Sequence, residues 1–276
     1  MAETPLDGQP SEPDSTEEWR RMLTGADRQL PLLRRAWRTV PSGPRCKLCA
    51  APFHGPGKVL TKVFQHGQSQ QNPLLCSFCF AKLRDHVGGA DIELSVLFAD
   101  VRGSTGLAER LGPATFRAHL QQLYRFAHHA VESRDGVIDK FLGDGVMALF
   151  IPVWTGADHA DRAIQSAIDL IRAVEASELP AAGVRVGAGV HTGPAFVGVI
   201  GSGERLDFTA LGDTVNVAAR LGGDADAGEL LVSAEAWDAR REDRVPADRR
   251  SMTVRGRAEP LEIVALQVDG AAAAAA

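Results

Sequence analysis

Between residues 92 and 268 the apolar positions follow two rhythms. Short blocks such as LSVLFA (94–99), GVMALFI (145–151), GELLVS (228–233) and LEIVAL (261–266) are compact and rich in β-branched and aliphatic side chains, as buried strands are. Longer stretches place apolar residues three and four apart. PATFRAHLQQLYRFAHHAVESR (113–134), ADHADRAIQSAIDLIRAVEA (157–176) and DTVNVAARLGG (213–223) read as amphipathic helices, the last with Asp213 as its expected N-cap. GVIDKF (136–141) and GVMALFI meet at Leu142-Gly143-Asp144, a hairpin connection. VRVGAGVHTG (184–193) and PAFVGVIG (194–201) predict two further strands, and RSMTV (250–254) one more. Strands interleaved with helices that cover the sheet predict an α+β sandwich.

The first 91 residues lack this rhythm. Residues 1–15 are rich in Pro, Asp, Glu, Ser and Thr, and are expected to form a disordered acidic leader. Residues 16–40 carry Trp19, Met22, Leu23, Leu30, Leu33 and Trp37 among arginines, a basic helical pattern expected to break at Pro31. Residues 41–88 are punctuated by Gly and Pro and hold all four cysteines; 269–276 is an Ala-rich tail expected to be disordered. Charge follows the same divisions. Residues 1–19 hold six acids and no base, whereas 20–88 hold twelve Lys or Arg against Asp27 and Asp85; an acidic excess in the remainder gives a net charge of −5. No apolar run approaches the ~18 residues of a membrane helix, and no secretory h-region is present, so the expected location is cytoplasmic.

Cys46-Lys-Leu-Cys49 and Cys76-Ser-Phe-Cys79 are two CxxC knuckles separated by 26 residues. Each knuckle presents two thiolates, and four suit tetrahedral Zn²⁺. A segment of ~45 residues has too little core to fold alone, so a metal staple is the first expectation. A redox dithiol pair and an iron–sulfur centre are the alternatives. Two aspartates are notable by position: Asp100 ends a buried strand, and Asp144 sits at a hairpin tip. Carboxylates at neighbouring strand ends form the hard-oxygen cluster that Mg²⁺ prefers. Taken alone, however, Gly143-Asp144-Gly145 reads first as an ordinary turn. Lys140 alone reads equally as a solvated strand-end lysine or a functional one, whereas Thr209 reads as a β-branched strand residue and the pair Asn216 and Arg220 as one polar helix face.

Company changes these readings. LFADVRGSTGLAERLG, KFLGDGVMALF, VHTGPAFVGVIG and FTALGDTVNVAARL occur in that order, and together they resemble the class III adenylyl and guanylyl cyclase catalytic domain over about two-thirds of the chain. The resemblance implies a ferredoxin-like cyclase sandwich over 92–268, with a mixed, largely antiparallel sheet. It implies that Asp100, Asp144 and the carbonyl of Val101 hold two Mg²⁺ or Mn²⁺ ions per active site. Amides from Arg102 to Thr105 would bind phosphate oxygens, and Ser104 stands where the family often has an aromatic residue. Lys140 and Thr209 match the positions that read adenine, where guanylyl cyclases typically have Glu and Cys. Asn216 would orient the ribose, and Arg220 would neutralise charge on the transferred phosphoryl group. Arg255 and Arg257 are candidates for the triphosphate, and His191 is expected to pack rather than act as a base.

The family builds its site between two catalytic domains, so a head-to-tail homodimer is expected. The implied function is adenylate cyclase, producing 3′,5′-cyclic AMP and pyrophosphate from ATP for second-messenger signalling. A guanylate cyclase, or a catalytically silent nucleotide- or partner-binding module, is the alternative. The cysteine segment resembles a small module ahead of cyclase domains in some bacterial proteins. For residues 16–88, binding of a regulatory partner or alignment of the dimer is expected ahead of nucleic-acid binding.

Overall fold

The computed structural model describes residues 13–26, 29–40, 44–55, 57–64, 66–70, 72–85, 88–202, 205–241, 249–253 and 260–268. The acidic leader up to residue 12 and the Ala-rich tail lie outside the described residues. The chain divides into two compact units, residues 1–91 with 197–209, and residues 92–196 with 210–276.

The first unit contains α1 (Pro13–Leu23), α2 (Gln29–Arg38), α3 (Gly57–Val63) and α4 (Ser77–Asp85). Helix α1 starts inside the stretch expected to be disordered. Pro31 does not break a helix: it sits in the first turn of α2, where a missing N–H costs nothing, and the break falls before Gln29. The apolar core is modest, built from Trp19, Leu23, Trp37, Leu48, Phe53, Leu75, Phe80 and Leu83 around the four buried cysteines. Buried polar groups here are tied to the main chain. Arg34 donates to the carbonyls of Lys47 and Leu48 at 3.1 and 3.2 Å. Arg45 donates to those of Trp37 and Ala50 at 3.0 and 3.1 Å, clasping the first knuckle.

The second unit is built on a sheet. Its elements are β1 (Gly89–Val101), α5 (Ser104–Leu111), α6 (Pro113–Ser133), β2 (Val137–Leu142), β3 (Gly145–Phe150), α7 (Pro152–Thr155), α8 (His159–Glu175), β4 (Val186–Ser202), β5 (Arg205–Leu211), α9 (Asp213–Asp224), β6 (Glu229–Ser233), α10 (Ala234–Asp238), β7 (Arg249–Met252) and β8 (Leu261–Gln267). Strands β1, β4 and β5 each contribute residues to both units. The strand order is β2-β3-β1-β4-β6-β8-β7, with β5 paired to β4. The pairs β1/β3, β2/β3, β6/β8 and β7/β8 are antiparallel, and β4/β6 is parallel. The fold is therefore α+β with a largely antiparallel sheet.

Period-two alternation loads both faces. Leu97, Ala99, Val146, Ala148, Phe150, Val186, Ala188, Val190, Leu230 and Val232 face a core completed by Leu123, Ala127 and Val131 of α6 and by Ile164, Leu170, Ile171 and Val174 of α8. On β6 the intervening Leu231 joins Val217 and Leu221 of α9 in a second core with Leu261 and Ile263. Helix α9 approaches the sheet closely because Gly189 and Gly222 meet there. A Cβ on Gly189 would stand 2.2 Å from the Gly222 nitrogen, and one on Gly222 2.8 Å from the Phe98 Cβ. Two expectations change. The two strands predicted over 184–201 are one continuous strand, β4, that runs through Pro194. Asp213 is not the N-cap of α9; Gly212 is, with φ 138°, which puts Asp213 in the first turn, where a carboxylate complements the helix dipole.

Candidate active site

Strand register creates the carboxylate pair. Asp100 on β1 lies opposite Gly145 on β3, so the hairpin tip places Asp144 beside it. Burial raises the pKa of the Asp100 carboxyl, and repulsion from Asp144 raises it further; Arg102 and the Val101 N–H act in the opposite sense. Two acids in mutual repulsion, with Val101 buried at the end of the same strand, fit a divalent cation. Arg102 adds a fixed counter-charge: its guanidinium stands 3.2 Å from the Asp100 carboxylate and donates to the carbonyls of Gly223 and Ala225 at 2.6 and 3.1 Å. The backbone N–H of Arg102 is committed to the Arg185 carbonyl at 2.9 Å, so the expectation that it binds phosphate fails. Gly103 to Thr105 remain as the phosphate candidates, at the start of α5, which has no side-chain cap.

The hairpin tip is held from outside the sheet. Gly143 adopts φ 64°, a left-handed conformation that closes the turn. Its carbonyl accepts a hydrogen bond from the hydroxyl of Tyr124 on α6, and the Tyr124 ring lies against Phe141, tilted by 31°, with centroids 4.1 Å apart. Burial, and then the charge of Asp144, raise the tyrosine's pKa and keep it a donor. Sequence reasoning missed Tyr124 because it fits an amphipathic helix; being the chain's only tyrosine was the one available clue.

Lys140 lies on β2 opposite Met147, just after a register shift that begins at Ile138. The shift lets two consecutive side chains meet: the Lys140 ammonium is 3.2 Å from the carboxylate of buried Asp139. Asp139 was also missed; the adjacent Asp-Lys pair in a strand was its only trace. On α9, Asn216 is exposed and Arg220 half-buried. Thr209 is buried on β5 and belongs to the first unit. His191 is buried with Nδ1 2.7 Å from the Ser233 hydroxyl, a packing role. Arg255 and Arg257 lie outside the described residues.

The cysteines form a separate centre in the first unit. The sulfurs of Cys46, Cys49, Cys76 and Cys79 all lie within 4.8 Å of one another, all buried. Cys49 and Cys76 Sγ are 3.6 Å apart, and the Cys76 N–H points at Cys46 Sγ from 3.3 Å. Burial opposes charge on Cys46, but its contacts with Cys49, Cys76 and Cys79 outweigh that and hold its thiol well below the usual range. The same contacts push Cys49 and Cys79 up. Four buried sulfurs this close together are an arrangement a divalent cation completes. His66 is a further neighbour missed by spacing, with Nδ1 3.3 Å from Cys76 Sγ and 3.7 Å from Cys49 Sγ.

Comparison with known proteins places these residues in context. Residues 90–267 match the family described as adenylate and guanylate cyclase catalytic domain. An adenylate cyclase of Anabaena cylindrica is 34% identical over 142 residues, covering 50% of this chain and 28% of its own length. Adenylate cyclase 1 of Rhizobium meliloti is 35% identical over 169 residues, covering 58% of this chain and 25% of its own. The chain thus spans roughly a quarter of those relatives. Among solved structures, the adenylyl cyclase CyaB from P. aeruginosa aligns with TM-score 0.59 and 30% identity, over 64% of this chain and 94% of that one. The guanylyl cyclase Cya2 aligns with TM-score 0.60 and 27% identity, over 65% and 93%.

Proposed function

Because the chain belongs to the adenylate and guanylate cyclase catalytic-domain family through residues 90–267, we propose that it is an adenylate cyclase, converting ATP to 3′,5′-cyclic AMP and pyrophosphate. The observation that carries this reading is the register of β1 and β3, which sets Asp144 beside Asp100. Asp100, Asp144 and the Val101 carbonyl would hold Mg²⁺ or Mn²⁺. When bound, two such ions supply Lewis-acid activation of the ribose 3′-hydroxyl and a clamp on the triphosphate.

The remaining roles belong to the chain. The ribose 3′-oxygen forms a bond to the α-phosphorus, the α–β bridge bond breaks, and pyrophosphate leaves with the proton released to solvent. Gly103 to Thr105 present backbone N–H groups to phosphate oxygens. Asn216 orients the ribose, and Arg220 spreads the charge that builds on the transferred group. Arg255 and Arg257 are the bases offered to the triphosphate. Lys140, held beside Asp139, donates to an adenine ring nitrogen, and the Thr209 hydroxyl accepts from the adenine amino group. Guanine presents the opposite donor and acceptor pattern, which favours ATP.

A head-to-tail homodimer completes the site, one copy giving Asp100 and Asp144 and the other giving Lys140, Thr209, Asn216 and Arg220. Exposed apolar side chains on the segments that bear these residues support it: Phe141 and Leu142 beside Asp144, and Leu211 just before α9. Zn²⁺ is the metal that suits the four cysteines. No helix among the described residues is long and apolar enough to cross a membrane, and we place the activity in the cytoplasm, where ATP is available.

Purified chain given ATP or GTP, with Mg²⁺ or Mn²⁺, tests the reading. Cyclic AMP from ATP is expected, with GTP turned over at least ~100-fold less efficiently. Absence of any cyclic product, or a preference for GTP, overturns it.

A further inference from the structure

The first knuckle does more than present thiols. Lys47 lies between Cys46 and Cys49, with its side chain almost fully buried. Its ammonium donates to the carbonyl of Phe208 at 2.7 Å and lies 4.0 Å from the carboxylate of Asp207. Near the second knuckle, Asn72 donates through its amide to the carbonyl of Leu206 at 3.0 Å. The indole of Trp19 stacks on the Phe208 ring at 6.5 Å and 21°. At the other end of the same ribbon, the Val199 N–H donates to the Gly88 carbonyl at 2.8 Å. All of these contacts lie within the first unit.

Three consecutive residues, Leu206, Asp207 and Phe208, are thus gripped from the cysteine module, and the next residue is Thr209. Burying a lysine is costly unless its charge is paired and hydrogen-bonded. Lys47 meets that condition on the strand leading into Thr209. Its backbone is fixed as well: the Lys47 N–H donates to the Leu74 carbonyl at 2.9 Å, and the neighbouring Cys46 N–H to the Ala51 carbonyl at 2.8 Å. Arg34 accounts for the Lys47 and Leu48 carbonyls. The geometry of the first knuckle is therefore handed to the strand through one short side chain-to-backbone bond, from Lys47 to the Phe208 carbonyl.

We propose that a zinc ion on Cys46, Cys49, Cys76 and Cys79 fixes the knuckle from which Lys47 positions the Thr209 strand, making Lys47 a positioning residue for base recognition and the metal a determinant of nucleotide selectivity. The first half, zinc and strand position, stands on the contacts above. The second half rests on the reading of Thr209 as a base-reading group.

The full-length chain carrying Lys47→Met tests both halves, with zinc measured by elemental mass spectrometry and strand position by hydrogen–deuterium exchange of a peptide covering 205–211. The expected result is one zinc per chain, exchange in 205–211 faster by about tenfold, and an unchanged exchange pattern in α8. KM for ATP should rise about fivefold with kcat near wild type, and the preference for ATP over GTP should narrow, because positioning rather than chemistry is lost. Lys47→Arg should recover much of each shift. Chelating zinc from the wild-type chain should speed exchange of 205–211, and doing so in Lys47→Met should add only the smaller part carried by Asn72 on the Leu206 carbonyl. A zinc-free wild-type chain, or 205–211 exchange indifferent to both Lys47→Met and chelation, overturns the proposal. Cyclic AMP production with KM and nucleotide preference unmoved in Lys47→Met, despite faster exchange, overturns the selectivity half. A wild-type chain that binds zinc and makes no cyclic product overturns the cyclase reading, and the exchange result still decides the positioning half.

Discussion

The two units hold their chemistry in different ways. In the sheet unit, the positions of Asp100 and Asp144 follow from backbone register, and that register is enforced by side chains buried on both faces. In the cysteine unit, a handful of large apolar residues surrounds four thiols, and buried Arg34, Lys47 and His66 are anchored to carbonyls or sulfurs rather than to a ladder. A register is shared by many residues and tolerates the loss of any one contact. A hub concentrates its constraint in a few atoms and fails with them. The two units should therefore respond differently to single substitutions, and the most informative experiments pit one form of organisation against the other.

The largest effect should come from the register-built pair. Asp144→Ala should lower kcat by about a thousandfold or more while leaving the melting temperature nearly unchanged, because the side chain supplies charge rather than packing. Asn216→Ala, exposed on α9, should also be nearly inactive. If the two groups serve one composite site, an equal mixture of the two inactive proteins regains activity. Random exchange gives half heterodimers with one intact site of two, hence about a quarter of the wild-type rate. Mixed dimers demonstrated by mass spectrometry, yet inactive, would remove the shared-site arrangement.

Base recognition comes next, through the two residues proposed to read the base, Lys140 and Thr209. Lys140→Glu with Thr209→Cys reverses the donor and acceptor pattern offered to the base. The ratio of kcat/KM for ATP to that for GTP should fall by about a hundredfold. An unchanged ratio, with the fold intact, would mean that other residues read the base.

Stability separates the units more directly. Leu170→Ala removes a fully buried side chain from the core between α8 and the sheet, and should cost about 2–5 kcal/mol, read as a lower melting temperature of the sheet unit. Cys79→Ser removes one of the four clustered thiols. It should abolish zinc binding and raise amide exchange throughout 44–85, with α8 still protected. Equal loss of protection in α8 would show that the cysteine unit is needed for the sheet to fold.

The two units were also unequally legible in the sequence. Strand and helix periodicity made the sheet unit legible, because period-two and period-3.6 patterns report burial directly, whereas the metal, base and transition-state candidates rested on the resemblance carried by motifs in a fixed order. What escaped were contacts set by register and packing rather than by pattern: the hydroxyl of Tyr124 on the Gly143 carbonyl, Asp139 beside Lys140 at the β2 register shift, and the guanidinium of Arg102 spanning from Asp100 to the end of α9. Pro194 suggested a break, yet a single missing donor did not end β4. In the cysteine segment, spacing pointed to the four cysteines that cluster and to nothing else. His66 and Lys47 are single polar residues without periodic neighbours, and their roles arise only from three-dimensional placement.

The smallest predicted effect probes the point where the sheet unit borrows the hub's method. Asp144 sits in a turn, beyond the last ladder pair, and turns are where register has least authority. The compensation is local: the Tyr124 hydroxyl on the Gly143 carbonyl, with its ring against Phe141. Tyr124→Phe keeps the ring and deletes the donor. The Gly143 carbonyl loses about 1 kcal/mol of hydrogen bonding, with solvent able to replace part of it. Because Asp144 follows directly, the cost should appear in metal affinity and kcat, by about three- to tenfold, with KM for ATP little changed. The melting temperature should drop by only about 2–4 °C. Raising Mn²⁺ should recover most of the rate, since a loosened ligand is compensated by a higher ion concentration. A rate defect that excess Mn²⁺ leaves untouched would mean that Tyr124 acts on the nucleotide itself rather than on the turn that carries Asp144.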